Sequence, residues 1–587
     1  MKSALLFTLV LVACGPTRGD NFGDGGGSGS NGSNGSNGPA GTSCSSDLHD
    51  ILDDQSNVVG TCPADQGCAA GVCVGACQAA AASQGSVGCE FTVATPSFYP
   101  TIAPPCFAVF LANNWPKDTT VTISRGGVSY DATTFGRVPD GTPDTASWPL
   151  VSATGIASSN VGVFLLSDDP ASRNSTPTTC PATPAISVTG GTAVYTGGDD
   201  ATGIGQAFHI TTSFPVSAYD IMPYGGASSY LPSAELLLPT SAWGTNYVTT
   251  GPEPTQGVGW GQVVANTDNT TVMITPKTGL PSGTGVAAAP ANATTTYTLN
   301  AGQYIQWQSA GDWSGGVIAS SAPVSVTGGT TYLCKGSSTT DTSFGSPGGC
   351  DSGHQLTPPG AALGSEYVGR PYETRRADLQ EESIVYRLVG AADGTTLTYN
   401  PAVAGAPTTL AVGQVVEFEA TGAFVITSQD SMHPFYVGQY MSGCHVLGGS
   451  RPGAADCLGD EEFVDILPPA QWLASYTFFT DPTYTTTSLV VVRKAQGSGI
   501  FADVTVDCLG TLTGWTPVAG GAQYQMTRVD LQRGTPVGTC TNGRHTASSN
   551  GAFTVMVWGL AEYASYAYPA GGNVGKINPV VVIGKQH

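Results

Sequence analysis

Apolar and polar residues alternate along much of the chain with a period of two. Segments such as 270–276 (TTVMITP) and 303–308 (QYIQWQ) place every second side chain on one face, which is the pattern of a half-buried β-strand. Asn, Asp and Gly cluster at 266–269 and 392–394, and such clusters predict tight turns. Apart from a short Ala-rich turn at 78–82, no segment shows convincing helical spacing. The chain is therefore predicted to be all-β.

The large C-terminal part of the chain repeats. Three related lead-in segments begin at residues 236 (LLLPTSAWGTNYV), 356 (LTPPGAALGSEYV) and 466 (ILPPAQWLASY), so they start 120 and 110 residues apart. Each leads into a similar series of strands, and a more diverged copy lies between residues 106 and 223. Each unit holds six or seven short strands in about 110–120 residues, which is the size of a β-sandwich domain.

We therefore predict four tandem β-sandwich units after a small disulfide-rich module, with a closed, propeller-like toroid as the alternative arrangement. No linker separates the units, and this favours close packing between neighbours. The predicted boundaries are 1–13 for a signal peptide, 14–43 for a lipidated cysteine and tether, 44–89 for the cysteine-rich module, and 90–230, 231–350, 351–457 and 458–587 for the four units.

The first residues carry the pattern of an export and lipidation signal. Lys2 precedes an apolar run at 4–13, which is too short to span a bilayer. The run ends in LVAC, the order of a bacterial lipobox, so Cys14 is predicted to carry lipid, and several acyl chains anchor a protein firmly. Gly15 is compatible with transfer to the outer membrane, and residues 19–42 form a Gly/Ser/Asn-rich tether. The alternative is a plain secretory signal with a chance cysteine.

The charge balance narrows the classes of partner. Only 11% of the residues are Asp, Glu, Lys or Arg, and the formal net charge is −22. A typical soluble domain has about 25% charged residues. The acidic balance argues against nucleic-acid partners, which select a basic surface. It also disfavours contact with acidic surfaces except through divalent cations.

Cysteine usage indicates an oxidising compartment. Without Cys14, fourteen cysteines remain, an even number that an exported protein can pair. In the small module we expect three disulfides with fifteen possible connectivities, and the spacing does not suit the rival zinc site. The six cysteines of the module are Cys44, Cys62, Cys68, Cys73, Cys77 and Cys89. Positions within the repeats predict the pairs Cys334–Cys350, Cys444–Cys457, Cys508–Cys540 and Cys106–Cys180.

The sequence holds no common catalytic motif. The seven histidines form neither HExxH nor HxH, and neither GxSxG nor GxxxxGK[ST] occurs. His354 and His445 each follow a predicted bridge cysteine, but ordinary packing is favoured over a paired-histidine site. We predict no metal site and no cofactor, with one alternative: Ca²⁺ at the acidic clusters 168–169, 199–200 or 460–462, for which solvated turns are the simpler interpretation.

Tryptophan is the remaining residue type with two interpretations. Exposed indoles stack on sugar rings, whereas buried indoles fill sandwich cores, and we favour the core. The residues concerned are Trp243, Trp260, Trp307, Trp313, Trp472 and Trp515.

The order of several motifs resembles the IgGFc-binding protein N-terminal domain family. The motifs lie between about residues 205 and 558 and include FPVSAYDIMP, VVANTDNTTVMITP, YTLNAGQYIQWQ and CDSGHQLTPPGAALGSEYV. With a lipobox and a cysteine-rich module in front, the chain looks like a large surface lipoprotein of a myxobacterial-type bacterium. The resemblance implies an adhesive binding role. It assigns no ligand-contacting residues, and antibody binding is not carried over from it.

These observations predict a lipid-anchored binding or adhesion protein, without catalysis, at the outer membrane or cell surface of a diderm bacterium. The expected partners are the membrane, through the lipid, and a protein or glycan ligand on a surface, but no nucleic acid. One alternative is a secreted polysaccharide or peptide hydrolase, which needs catalytic groups converging in a cleft. The other is a structural envelope component, which would pack through exposed strand edges or an apolar patch.

Overall fold

The computed structural model describes residues 41–100, 102–172, 178–188, 202–309, 311–345, 347–497 and 499–584. It confirms the all-β prediction, because these residues form 39 strands and two short α-helices, Ala76–Ser83 (α1) and Ala132–Phe135 (α2). No helix of the described part is long and apolar enough to cross a membrane. The predicted signal peptide 1–13, the lipidation site Cys14 and the tether as far as residue 40 lie outside the described residues.

The cysteine-rich module is a three-stranded sheet followed by a hairpin and α1. Its strands are Ser43–Cys44 (β1), Asp50–Leu52 (β2), Val58–Thr61 (β3), Gln66–Ala69 (β4) and Val72–Gly75 (β5). Its disulfides are Cys44–Cys68, Cys62–Cys73 and Cys77–Cys89. The module docks on the first unit through Trp115, whose indole Nε1 donates to the Ala64 carbonyl over 3.0 Å.

The four units contain the remaining strands. In unit one they are Val87–Val93 (β6), Phe107–Ala112 (β7), Val121–Arg125 (β8), Val128–Tyr130 (β9), Gly136–Arg137 (β10), Val161–Asp168 (β11), Ile186–Ser187 (β12), Phe208–Met222 (β14) and Ser233–Leu237 (β15), while Gly203–Gln206 (β13) precedes β14 but joins the sheet of unit two. In unit two they are Gly244–Val248 (β16), Gly259–Ala265 (β17), Thr270–Thr275 (β18), Thr295–Leu299 (β19), Gln303–Ser309 (β20), Val317–Leu333 (β21) and Asp351–Leu356 (β22).

Units three and four follow the same order. In unit three the strands are Glu366–Gly369 (β23), Ser383–Gly390 (β24), Thr395–Asn400 (β25), Thr409–Leu410 (β26), Val415–Thr421 (β27), Phe424–Ser428 (β28), Phe435–Met441 (β29) and Glu462–Asp465 (β30). In unit four they are Leu473–Thr480 (β31), Thr486–Lys494 (β32), Val504–Val506 (β33), Gly510–Thr511 (β34), Thr516–Val518 (β35), Tyr524–Arg533 (β36), Thr535–Pro536 (β37), Gly543–Ala561 (β38) and Ala564–Pro569 (β39).

Each unit is a sandwich-like pair of sheets. Unit three shows this most plainly, with one sheet ordered β23-β28-β25-β26 and another ordered β27-β24-β29-β30. In the other units a single long strand, β14, β21 or β38, takes the place of β28 and β29 and belongs to both sheets. The strand that alternates most clearly in sequence, β18, lies in the half-exposed sheet, whereas β24 is buried along its whole length. A strand covered on both faces loses the polar–apolar alternation.

The strand that closes each unit lies innermost. These four strands, β15, β22, β30 and β39, contact one another in that order, and β39 returns to β15. The units therefore close into a ring, so the predicted sandwich-like units and the alternative toroid are combined in one arrangement. The boundaries drawn at 231, 351 and 458 fall at or just before an inner strand. That strand pairs with β14, β21 or β29 and so completes the unit before the boundary.

Apolar side chains seal the contacts between units. The closing contact joins units one and four, where Phe110 stacks on Phe479 with ring centroids 4.9 Å apart. Units three and four share another buried cluster that includes Tyr372 and Trp558, whose centroids are 5.2 Å apart. Buried apolar clusters also join units two and three and units one and two. The ring is thus held by continuous cores rather than by linkers.

Candidate functional site at the ring centre

The inner strands bring an unusual number of carboxyl groups into the interior. Seven of them, on or beside these strands, are at most 5% exposed: Asp220, Glu235, Asp351, Asp460, Glu461, Glu462 and Asp465. Carboxyl groups are rarely buried this deeply unless they are paired with a base, a proton donor or a metal ion. Strand register places two of them together, because Asp220 on β14 is the direct neighbour of Glu235 on β15.

His354 on β22 completes a trio with Asp220 and Glu235. Its Nε2 atom lies 3.0 Å from Asp220 Oδ1, and the two side chains are 2% and 0% exposed. One ligand atom from each member of the trio lies within 4.8 Å of the other two. Within the described part of the chain, no donor reaches the buried Asp220 Oδ2 or Glu235 Oε2. The arrangement can hold either a shared proton or a metal ion.

Burial controls the protonation of this interior. It raises the pKa of Asp220, although the His354 imidazole acts in the opposite direction. Burial also raises the pKa of Glu235 well above its ordinary value, and the negative charge of Asp220 adds to that rise. For Asp465, burial raises the pKa to about 7, while a hydrogen bond from the Tyr436 hydroxyl limits the increase. These carboxyl groups favour the neutral form unless a cation balances them.

Asp351, Asp460 and Glu461 form a second acidic group beside the start of β30. No donor among the described residues reaches any of the four carboxylate oxygens of Asp460 and Glu461. Asp351 Oδ2 accepts weakly from the Ser565 amide over 3.4 Å. Glu462 differs, because its Oε1 accepts from the Ser233 hydroxyl over 3.0 Å. The solvated-turn interpretation of cluster 460–462 is therefore wrong: all three side chains are buried, since the inner strands of neighbouring units cover them.

The other acidic pairs differ from this group. Asp168 and Asp169 are also buried rather than solvated, and they bind local backbone. Asp168 Oδ2 accepts from the Cys180 amide over 2.9 Å, and Asp169 Oδ1 accepts from the Ala171 amide over 2.8 Å. Residues 199–200 lie outside the described residues.

The cysteines are paired as the repeats indicate. The structure contains Cys106–Cys180, Cys334–Cys350, Cys444–Cys457 and Cys508–Cys540. Two other groups of metal-type residues lie near these bridges, one at His445 and one at Asp507 and His545. Each includes disulfide sulfur, which is not the thiolate that binds a metal ion.

The remaining histidines have ordinary partners. Four of them face carboxylates, in the pairs His49–Asp47, His209–Glu90, His433–Asp430 and His545–Asp507. His445 stacks on Phe344 with ring centroids 4.2 Å apart, so it and His354 have separate partners. His587 lies outside the described residues.

The tryptophans favour the core interpretation over sugar stacking. Trp515 lies under the Arg493 guanidinium, with Cζ 4.0 Å from the ring centroid. The other five are at most 7% exposed: Trp243, Trp260, Trp307, Trp313 and Trp472.

Comparison with known proteins identifies the family. A sequence model of the family described as "IgGFc binding protein" matches residues 233–559, which is more than half of the chain. The chain belongs to the IgGFc-binding protein family. The human protein named IgGFc-binding protein is 27% identical over 348 residues, which make up 59% of this chain and 6% of the human protein. No solved structure matches the chain significantly.

The family match follows the architecture of the ring. It begins at Ser233, the first residue of β15, and ends within β38, so it covers the closing strand of unit one and most of units two to four. The resemblance noted in the sequence is thereby confirmed. In this member of the IgGFc-binding protein family, Glu235 and His354 lie inside the matched segment and Asp220 lies before it.

Sequence reasoning missed the trio as a site. Asp220 and Glu235 look like ordinary strand residues, and His354 follows 119 positions after Glu235. Only the register of β14 with β15 and the packing of β22 on β15 bring them together. The available signal was a charged residue in a strand segment of otherwise apolar character, as in SAELLLP.

Proposed function

We propose that this protein is a lipid-anchored binding protein on the surface of a diderm bacterium, where it mediates adhesion without catalysis. The observation that carries the proposal is the family match over residues 233–559, because the family and the human relative are named for binding. Seven disulfides among the described residues suit an extracytoplasmic protein.

The anchor is argued from the sequence. The apolar run 4–13 ends in the lipobox order LVAC, and Cys14 is the residue that would be acylated. Residues 19–42 would act as a flexible tether that holds the ring away from the membrane. A tethered, rigid ring suits a protein that reaches a ligand on a neighbouring surface.

The arrangement of polar groups supports binding over hydrolysis. The trio at the ring centre is closed off from solvent, so no polymer substrate reaches it. Among the described residues that line an open groove between units two and three, Lys277 is the one charged residue, and its Nζ donates to the Gly413 carbonyl over 3.0 Å. Hydrolysis of a glycan or peptide needs paired carboxylates or a nucleophile with a base, and this groove offers neither.

The ligand class that we propose is a protein or glycan displayed on a surface. The human relative is named for binding the Fc part of IgG. The matched segment is 6% of that protein. A ligand screen for this chain should therefore test IgG Fc together with glycans and the surfaces of neighbouring cells.

The experiment compares the wild type with Cys14→Ala and Gly15→Asp in the native cell. Cells are labelled with palmitate and then treated with protease from outside. We expect the wild type to be labelled and shaved, and Cys14→Ala to be unlabelled and released. Gly15→Asp is the matched control, because Asp at this position marks retention at the inner membrane; we expect it to be labelled but protected.

The two alternatives give different results. A wild-type protein that is labelled but protected faces the periplasm, and that result contradicts surface adhesion in favour of an envelope role. An unlabelled wild type that is found in the medium contradicts the anchor. Release of sugars or peptides from a substrate panel by purified protein would support the hydrolase instead.

A further inference from the structure

The trio at the ring centre lacks a compensating base. Among the described residues, Asp220 has an ion pair with His354 alone, and Glu235 has none. Neither carboxylate pairs with Lys or Arg in the described part of the chain. Burying two ionised carboxylates this deeply would cost more desolvation free energy than their attraction to one imidazole supplies. The site therefore needs a bound proton or a bound cation.

We propose that Asp220, Glu235 and His354 bind one Zn²⁺ ion at the centre of the ring. Two carboxylate oxygens and an imidazole nitrogen are donors that zinc accepts in proteins. With both carboxylates ionised and the imidazole neutral, the divalent ion gives a site of zero net charge, which is the arrangement that a buried position favours. Asp220 would bind through Oδ1, while its Oδ2 and Glu235 Oε2, which accept no hydrogen bond from the described residues, keep lone pairs free to complete the four ligands.

The spacing of the donor atoms suits this ion. Ligand atoms of a tetrahedral zinc site, with bonds of about 2.0 Å, lie about 3.3 Å apart. The 3.0 Å between His354 Nε2 and Asp220 Oδ1 is close to that value. All three donors lie within 4.8 Å of one another, so small side-chain rotations would bring the set to bonding distance. The second acidic group, at Asp351, Asp460 and Glu461, offers no nitrogen donor and suits zinc less well.

The ion would act as a structural clamp. Asp220 and Glu235 belong to unit one, and His354 lies on the inner strand of unit two. A zinc ion between them would join the two units at the axis. Because the donors are at most 3% exposed, the ion would enter during folding and leave only on unfolding.

The first test measures metal content in the full chain. The protein is produced by export in medium containing zinc, dialysed in the native state against EDTA, and analysed by mass spectrometry for metals. We expect about one zinc ion per chain in the wild type. His354→Gln and Glu235→Gln should lose it, whereas Asp465→Asn, which changes another buried carboxyl group of the same interior, should keep it.

A second test needs the wild type alone, in case the variants fail to fold. X-ray absorption at the zinc edge should show imidazole nitrogen and oxygen ligands at about 2.0 Å, and no sulfur. A wild type without zinc would overturn the proposal and leave a proton shared between Asp220 and Glu235. Sulfur ligation, or zinc that persists unchanged in folded His354→Gln, would overturn it as well.

Discussion

At the scale of single residues, we expect two carboxyl groups with shifted pKa values to make opposite contributions to the pH dependence of stability. Asp465 and Glu90 represent opposite cases. Asp465 is buried on β30, where the Tyr436 hydroxyl donates to its carboxylate. Glu90 on β6 is half-exposed and is hydrogen-bonded to His209 in unit one and to Asn266 in unit two. Asp465 therefore has a raised pKa in the folded state, whereas Glu90 has a lowered one.

We expect Asp465→Asn to flatten the pH dependence of stability between about pH 4 and pH 7. The folded pKa of about 7 exceeds the unfolded value of about 3.9, so the native state binds the proton more tightly. The free energy of unfolding should therefore fall as pH rises through this window, by up to about 4 kcal/mol, and Asn removes that slope. Denaturant unfolding at several pH values measures it, with exposed Asp456→Asn as the control. Equal slopes in the wild type and Asp465→Asn would refute the assignment.

For Glu90 we expect the opposite effect: its contribution to the free energy of unfolding should fall as the pH falls. The His209 imidazole, 2.9 Å away, lowers the pKa of Glu90 to about 2, and the Asn266 amide and Thr240 hydroxyl assist. This stabilisation is complete above the unfolded pKa of about 4.3 and is lost as pH falls towards 2. Because both side chains are partly exposed, we expect Glu90→Gln to cost about 1 kcal/mol at neutral pH.

Acid unfolding with a matched variant checks this prediction. The difference in free energy of unfolding between wild type and Glu90→Gln should shrink steadily below about pH 4 and be mostly lost at pH 2. The exposed Glu562→Gln should behave as the wild type does. A difference that stays constant from pH 7 to pH 2 would mean that the Glu90 carboxylate charge does not contribute.

At the scale of elements, a repeated corner fixes how each unit begins. The Tyr367 hydroxyl accepts from the Gly364 amide over 2.9 Å and donates to the Phe435 carbonyl over 2.6 Å. Units two and four repeat these bonds with Tyr247 and Tyr476. Gly364 also touches Pro468 so closely that an added Cβ would lie 2.5 Å from the proline Cβ. This contact explains the glycine of units two and three, and the two hydrogen bonds explain the tyrosine three residues later in the lead-in sequence.

We expect Tyr367→Phe to lower the free energy of unfolding by about 1–3 kcal/mol, because it leaves a buried amide and a buried carbonyl without a partner. Thermal or denaturant unfolding measures the loss. Tyr563→Phe, at a tyrosine that is 49% exposed, is the control and should stay within about 0.5 kcal/mol of the wild type. Equal stabilities of the two variants would show that the Tyr367 hydroxyl does not stabilise the fold.

The sequence predicted these elements better than it predicted their contacts. Period-two segments identified the half-exposed strands, and the repeats indicated the Cys334–Cys350 and Cys444–Cys457 pairs. Connectivity in the cysteine-rich module stayed open, because three bridges in a short segment have no preferred spacing. The predicted boundaries at 231 and 351 placed the closing strands β15 and β22 in the following units. Each of these strands runs directly into the next lead-in segment, so only its pairing with β14 or β21 shows that it belongs to the earlier unit.

At the scale of the whole molecule, the C-terminal segment ties the ring together. After β39 the backbone amide of Val574 donates to Gln84, next to unit one, and that of Ile577 donates to Ala361 at the start of unit three. Val582 donates its amide to Asn246 Oδ1 in unit two. Ring closure could not be predicted from alternation or repeats, because it depends on contacts between residues hundreds of positions apart.

We expect Asn578→Ala to loosen this segment. The Asn578 side-chain amide donates to the carbonyls of Gly360 and Leu363, each over 2.8 Å, in a buried position. Loss of both bonds should lower the free energy of unfolding by about 1–3 kcal/mol and speed proteolysis after β39. Exposed Lys576→Ala is the control. Unchanged proteolysis in Asn578→Ala would show that the segment does not depend on this anchor.

The central claim is that the ring binds a ligand on another surface while lipid holds it to the cell. The most direct measurement is adhesion of cells carrying the wild type, Cys14→Ala or a deletion to neighbouring cells and to immobilised glycans and proteins. We expect wild-type cells to adhere, the other two to lose adhesion, and purified ring to compete with the wild type. Equal adhesion by wild-type and deletion cells would contradict the account.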